Sequence, residues 1–570
     1  MALQDIRILV AIDFGTTYSG FAYVHKENPE NIETNHTWPG REGGFKTPTA
    51  LLYDETYTEV TSWGDLALEE ELDYDSDEIC SRPVEMFKLH ISDLTQDQKP
   101  WLPSQLNYEK AIKDYLTRMH ILIKETLEKR WPGIEFPQQV GFVLTIPAEW
   151  PHHTTGIMRR CAYNAGLLTT LDSNNLEFTT EPEAAALYCL NVVKEHNLCP
   201  GDTFLVADCG GGTVDITSRK LLQDNRLSEI TERVGDLCGS TFVDKEFLRW
   251  LGYKVGFDAL EKLKSNNYKQ MQHFIQHFFC LLVKFKFKGD PTKFKTIRLI
   301  LHKYCPDLPQ YVLGKYKQEM EEAGWIVRID FDSVKEMFNP VVNRIIQLIK
   351  DQLKNTNEQC SAMFLVGGFS ESPYLLNRVR EAFMDQVPII AVPALPIAAV
   401  VRGAVTYGLN AEIVHERVLK WTYGIEVCRS WVAGKDKKKR RTPDGFIFHF
   451  HPLAQRRTKV EVDKKFSGDF YPVRANQTRA VFKVYYTAKN SGIFCDDPGM
   501  RLLGTLYINI PDIHLGRNRP IEFSLTFAKI EIKVTAKNKR TDHMIIYYYC
   551  NGATTDKKNS LASCNTGYSK

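Results

Sequence analysis

Phe204-Leu-Val-Ala-Asp208-Cys-Gly210-Gly211-Gly212-Thr213-Val-Asp215-Ile-Thr217 is the stretch on which the reading of this 570-residue chain turns. An apolar run reads as a buried strand, an aspartate ends it, three glycines follow, and Val214 and Ile216 resume strand alternation. Strand, glycine turn and strand make a hairpin whose tip carries no side chains to hold a ligand away. Backbone N–H groups at such a tip can converge on an anion, typically phosphate. An aspartate just before the turn is placed to face a metal ion that screens that phosphate. Three glycines at a strand boundary describe an ordinary tight turn equally well, so the rest of the chain has to decide.

The pattern recurs. Ile8-Leu-Val-Ala-Ile-Asp13 is again an apolar run closed by an aspartate, followed by Phe14-Gly15-Thr16-Thr17-Tyr18-Ser19-Gly20 and a returning strand from Phe21 to Val24. A repeat at a distance of about 195 residues points to two related half-domains rather than a short-period solenoid. Two facing hairpins can clamp a polyphosphate from both sides. A third apolar strand, Met363 to Val366, ends on Gly367 and Gly368 and leads into a helix.

The intervening segments alternate between strand and helix. Glu109 to Lys129 carries one apolar helical stripe, Gln139 to Pro147 is a buried strand, and His153 to Leu167 is a helix stopped by Gly166. Glu181-Pro-Glu-Ala-Ala-Ala-Leu187 opens another helix, with proline in its first turn and carboxylates at its positive end. Gly235 to Asp244 is a glycine-bounded turn feeding a helix, Asn266 to Lys288 is helical with a basic end, and Val334 to Leu353 is amphipathic. This alternation predicts an α/β domain. From about Val418 the pattern changes to short period-two strands, which predicts a β-sandwich. Lys88 lies among apolar residues and either snorkels or faces an anion; the residues alone favour snorkelling. The acidic run from Glu69 to Glu78 and the basic run from Lys435 to Arg441 read as solvated surface.

Composition narrows the class. The length suggests roughly three or four folding units. A net charge of +2 leaves no electrostatic footprint for nucleic acid. Thirteen scattered cysteines without a Cys-x-x-Cys pair fit reduced thiols of a cytoplasmic protein rather than a disulfide framework or zinc site. No leader-like N-terminus and no apolar run long enough to span a membrane are expected. Walker-type and dinucleotide glycine fingerprints are both missing from the sequence.

Ile12-Asp13-Phe-Gly15-Thr16-Thr17-Tyr18-Ser19, Glu181-Pro-Glu-Ala-Ala-Ala186, Asp208-Cys-Gly-Gly-Gly-Thr213 and Val366-Gly-Gly368 stand in the order found in the heat-shock protein 70 family of the actin-like ATPase superfamily. The stretch from Leu502 to Phe527 also resembles that family's β-sandwich substrate domain, and the chain looks most like the divergent member-12 branch. The resemblance implies an actin-like ATPase fold of two duplicated lobes over residues 1–410. A short linker at 411–417, a β-sandwich at 418–548 and a disordered tail at 549–570 would follow. It implies ATP/ADP and Mg²⁺ as ligands, with Asp13 and Asp208 organising the magnesium mainly through its waters. Gly15, Thr16, Thr17, Tyr18, Gly210, Gly211, Gly212 and Thr213 would hold the phosphates. Gly239, Ser240, Lys284, Gly367, Gly368 and Phe369 would border the nucleoside. Lys88, Glu181 and Asp208 would carry hydrolysis, which reverses the snorkelling reading of Lys88.

The resemblance further implies peptide or protein clients and co-chaperones, with no nucleic acid partner. The chain departs from the family in four places. Glu371 replaces the arginine beside the adenosine glycines, Ile397 replaces an aspartate, the linker lacks its leucine run, and no helical lid follows the sandwich. Two readings compete: a slow ATPase coupled to peptide binding, and a non-catalytic nucleotide-dependent binding module. A sugar kinase of the same superfold would need a second small-molecule pocket, and the β-rich tail argues against it.

Overall fold

Two sheets with the same strand order organise the first 420 or so residues of this computed structural model. It describes residues 6–549 apart from 70–81, 93, 97, 149, 151–152, 411–412, 462–463, 528–531 and 542–543. Most of the expected acidic face at Glu69–Glu78, and residues 550–570 of the expected tail, lie outside the described residues.

In the first sheet the order is Leu176–Thr180, Val140–Ile146, Ile8–Asp13, Tyr18–His25 and Glu33–Thr34. In the second it is Ile389–Ala391, Cys360–Val366, Thr203–Cys209, Val214–Leu221 and Leu227–Glu229. Each contains an antiparallel hairpin whose first strand also takes a parallel neighbour. The recurrence of Asp13 and Asp208 in sequence is matched by this recurrence of topology. Asp13 sits on the last rung of its hairpin, opposite Gly20, and Asp208 sits one rung before the last of its own, opposite Asp215. The central strands are buried along their full length, as expected of continuous apolar runs covered on both faces.

Between the sheets lie two helices, Glu181–Glu195 and Ala399–Leu409. One core joins Leu9 and Ala11 of the first sheet to Val206 and Phe364 of the second through Ala184, Ala185 and Ala404 of these helices. Small residues allow the close crossing: a Cβ on Gly403 would stand 1.8 Å from the Ala184 carbonyl oxygen. Thr180 caps the first helix by accepting from the Glu183 N–H, which places Glu181 in its first turn, at the positive end.

The C-terminal part forms two four-stranded antiparallel sheets around one core that includes Ile425, Val484, Leu506, Phe523 and Val534. Four of its strands escape the period-two reading: Phe446–Ala454, Lys459–Glu461, Lys465–Phe470 and Met544–Tyr549. Histidines punctuate the first, the second has only three residues, the third mixes Lys, Ser, Gly and Asp with phenylalanine, and the last is an unbroken apolar and aromatic run with no alternation. The chain is thus α/β with several sheets. No helix of the described residues is long and apolar enough to cross a membrane.

The described end of the expected linker is extended and bonded. Val414–Val418 runs parallel to Leu227–Glu229 and antiparallel to Lys459–Glu461, so it is a strand of the second sheet. Arg417 donates to both Glu183 oxygens at 3.0 and 2.8 Å, and the Val418 N–H donates to Glu229 at 2.8 Å. Arg219, fully buried, lies 3.5 Å from Glu229. Beyond this strand Arg456 donates to Glu232 at 2.7 Å.

Two outcomes follow from this packing. Alanine at an exposed helical glycine stabilises by about 0.5–1 kcal/mol, but Gly403→Ala drives a methyl into backbone and should destabilise by about 1–3 kcal/mol, read as a lower midpoint in urea unfolding. Burial alone would raise the Glu183 carboxyl; Arg417, with Arg219 and Arg233 behind it, overrides burial and holds it down to about 2. A depressed folded-state pKa contributes stability that is full above about 4.5 and is lost as pH falls towards 2. The stability gap between wild type and Glu183→Gln should therefore narrow across that window; a constant gap would contradict it.

Candidate functional site

The site is built where the two hairpin tips meet. At the first tip the Gly15 N–H donates to Ser19 Oγ at 3.2 Å and Thr49 Oγ1 donates to the Gly15 carbonyl at 2.9 Å. At the second tip the Gly210 N–H donates to the Thr213 carbonyl at 3.0 Å, closing a tight turn. The segment Gly239-Ser240-Thr241 then ties down all three glycine carbonyls: Gly239 N–H to Gly212, Ser240 N–H to Gly210 and Thr241 N–H to Gly211, at 2.9–3.2 Å.

The two tips touch. A Cβ on Gly211 would lie 2.1 Å from Thr17 Oγ1, and one on Gly212 would lie 3.1 Å from Thr16 Cγ2. A Cβ on Gly239 would lie 2.3 Å from the Gly211 carbonyl. Gly367, at φ +81°, leaves no room either, with Asp208 Oδ1 2.4 Å from its would-be Cβ. Gly211, Gly212, Gly239 and Gly367 are therefore required by the approach of protein to protein, a reason beyond the ligand-facing tip and the ordinary tight turn between which the sequence left the choice open.

Around these tips opens a cavity of about 830 Å³. Asp13, Gly15, Thr16, Thr17, Tyr18, Lys88, Glu181, Asp208, Gly210, Gly211, Gly212 and Thr213 line it, as do Ser240, Lys284, Gly367, Gly368 and Phe369. Gly239 is not on its wall; it packs beneath Gly211.

Charge is concentrated at the floor. Lys88 is 2% exposed and donates to Glu181 Oε1 at 2.8 Å and to the Phe14 carbonyl. Snorkelling, which the residues alone favoured, is corrected: the ammonium points inward, under the first tip and over the Trp150 ring. Lys46 donates to Asp13 Oδ2 at 2.6 Å, and Thr145 donates to Asp13 Oδ1 at 3.2 Å. Burial, then the charges of Glu181 and Asp13, push the Asp208 carboxyl up to about 7. Glu181 is raised too, by burial against the opposing pull of Lys88. Three buried carboxylates thus share two ammoniums. Among the described residues no three His, Cys, Asp or Glu side chains are disposed to ligate one ion, so a cation here would be held by one or two carboxylates and its own waters.

At the other end, Lys284 closes a π-helix, Phe274–Lys284, and is buried in an ion pair with Asp244 at 2.8 Å. Its ammonium lies over the rings of Phe285 and Phe369. The wide π turn brings Gln276, His277 and Cys280 to the cavity wall with Lys284, and such turns recur at functional sites. Glu371 and Ile397 line this end as well. Sequence reading missed Lys46, Thr145, Asp244 and Gln276. Asp244 was findable, four residues past Ser240 in the first turn of a helix; Lys46 lies in no motif, and only the pairing of Thr47 with Ser19 brings it to Asp13.

Comparison with known proteins shows what the chain is similar to. A family model described as a domain of unknown function (DUF8340) matches residues 200–392, the segment that holds the Asp208 hairpin, Lys284 and Gly367-Gly368. The chain is 27% identical to heat shock 70 kDa protein 12A of Homo sapiens, over 94% of this chain and 90% of that protein. Heat shock 70 kDa protein 12B of Homo sapiens is 26% identical, over 95% and 90% respectively. Chaperone protein DnaK of Thermus thermophilus is 25% identical, over 50% of this chain and 42% of its own length. The chain resembles the heat-shock protein 70 family, and it does so along nearly its whole length through the member-12 branch.

Contact between the tips makes a direct test available. Gly211→Ala should lower the thermal midpoint by several degrees, because its methyl meets Thr17, and Thr17→Gly in the same chain should recover part of that loss. Additive losses in the double variant would show that the tips do not bear on each other.

Proposed function

We propose that this chain is an ATP-binding heat-shock-70-like protein that hydrolyses ATP slowly and couples it to binding of peptides or proteins. On this reading residues 1–410 form the two lobes of an actin-like ATPase, with the repeated sheets as their cores. Residues 418–548 form a β-sandwich that meets clients, joined through 411–417, in a cytoplasmic protein that co-chaperones can serve. One observation carries the proposal: two like hairpins close on a single cavity whose floor holds an excess of buried carboxylates beside two lysines.

The residues present fit magnesium and a nucleoside polyphosphate. The backbone of the tips at Gly15–Thr17 and Gly210–Thr213 lines the cavity, and convergent backbone N–H groups at such turns suit phosphate oxygens. Asp13 and Asp208 would hold the ion through its waters, and bound magnesium supplies charge neutralisation on the phosphates. Lys88, fixed by Glu181 and the Phe14 carbonyl, presents a positive charge beside the first tip, where charge on the transferring phosphoryl group would develop. Glu181, raised by burial, is suited to orient the attacking water and accept its proton. Gly367, Gly368, Phe369, Ser240 and Lys284 would border the nucleoside, with ADP held by the same walls. Such hydrolysis is chiefly positioning and charge stabilisation.

A second reading, a nucleotide-dependent binding module without catalysis, is favoured by Glu371 at the base end. Binding and turnover separate the two. Wild type should bind ATP and ADP with magnesium in calorimetry, and Asp208→Asn should weaken binding about tenfold or more. Lys88→Ala should keep measurable binding while turnover falls by about 10²-fold. Equal turnover by wild type and Lys88→Ala would leave the binding module, and absence of nucleotide binding would overturn both.

A further inference from the structure

We propose that Lys46 is a built-in counter-cation of the phosphate site, competing with a divalent ion for the Asp13 carboxylate and leaving Asp208 as the carboxylate open to that ion. The inference rests on the same cavity as the proposed function and adds how its metal is regulated.

The chain goes to some length to bring this ammonium in. Lys46 immediately precedes Thr47–Pro48, which pairs antiparallel with the first hairpin through Ser19↔Thr47 and Tyr18↔Pro48. The Thr49 N–H donates to the Thr17 carbonyl, fixing the same segment to the tip. The register sets Lys46 beside Gly20, and Gly20 faces Asp13 across the hairpin. A Cβ at Gly20 would lie 2.7 Å from the Phe45 carbonyl and 3.1 Å from Lys46 Cγ, so glycine opens the lane along which the lysine stem crosses. The side chain ends 14% exposed, at 2.6 Å from Asp13 Oδ2.

The consequence is uneven among the three carboxylates. Asp13 has both oxygens engaged, by Lys46 and by Thr145. Glu181 has Lys88. Asp208 has no ion pair among the described residues, although it lines the same cavity. A divalent ion approaching between Asp13 and Asp208 meets an ammonium already seated on one of them. To be held by both carboxylates it must displace Lys46 from Asp13, so Lys46 lowers metal affinity.

Manganese without nucleotide tests this on the full chain, by electron paramagnetic resonance of free Mn²⁺. Lys46→Gln should bind Mn²⁺ at least about tenfold more tightly than wild type, since a close unit charge is worth more than 1.4 kcal/mol there. Lys46→Arg, which keeps the charge, should remain weak, and Asp13→Asn added to Lys46→Gln should abolish the gain. No gain in Lys46→Gln, or a gain that survives Asp13→Asn, overturns the inference. Should Lys46→Gln fail to fold by circular dichroism, labelling of Lys46 by an amine-reactive reagent in wild type decides. Saturating Mn²⁺ should raise it severalfold, and unchanged labelling overturns the inference. No nucleotide enters either measurement, so failure of ATP to bind would sink the nucleotide reading and leave this result standing.

Discussion

Contact between Thr16 and Thr17 of one hairpin and Gly211 and Gly212 of the other leaves no room for a methyl group, and most of the molecule serves to hold that contact. Each hairpin is anchored in a sheet of its own. The helices Glu181–Glu195 and Ala399–Leu409 lock the sheets together through alanines and a glycine that let backbones nearly touch. Because packed interiors do not deform continuously, a shift of either sheet must open or shear the junction of the tips. The cavity between them is thus a product of how two halves are pressed together.

Electrostatics divides along the same helix. Glu181 begins it and reaches Lys88 at the cavity floor; Glu183, two residues later, takes Arg417 from the strand that enters the C-terminal sheets. Burying such pairs is costly, and its return lies in geometry more than in net stability. One helical turn therefore carries a carboxylate for the cavity and another for the strand at its back. Arg456 on Glu232 and Lys459 on Glu416 extend the charged seam to the β-rich part.

Much of the core was legible because its causes are local. Apolar runs closed by Asp13, Asp208 and Gly367 signal strands that end at a turn, and they are where those signals put them. The helix at Glu109–Lys129 extends only to Tyr108–Arg130, as its apolar stripe requires. The basic stretch from Asn266 was read as one plain helix; it is a short α-helix that widens into a π-helix, a change that no periodicity of this length reveals. Lys88 was misjudged from residues alone because a lysine among apolar side chains snorkels unless a partner is buried with it, and Glu181 lies 93 residues away.

By itself the sequence determined the strand-turn-strand units, the paired aspartates and the switch to short β-strands near Val418, since each follows from residue types at fixed local spacing. Tertiary structure alone decided that Lys46 reaches Asp13, that Lys284 turns inward onto Asp244, and that Arg417 is buried on Glu183. The physical reason is common to all three. In each, the fold brings together and largely withdraws from water two charges whose residues are 33, 40 and 234 apart in sequence.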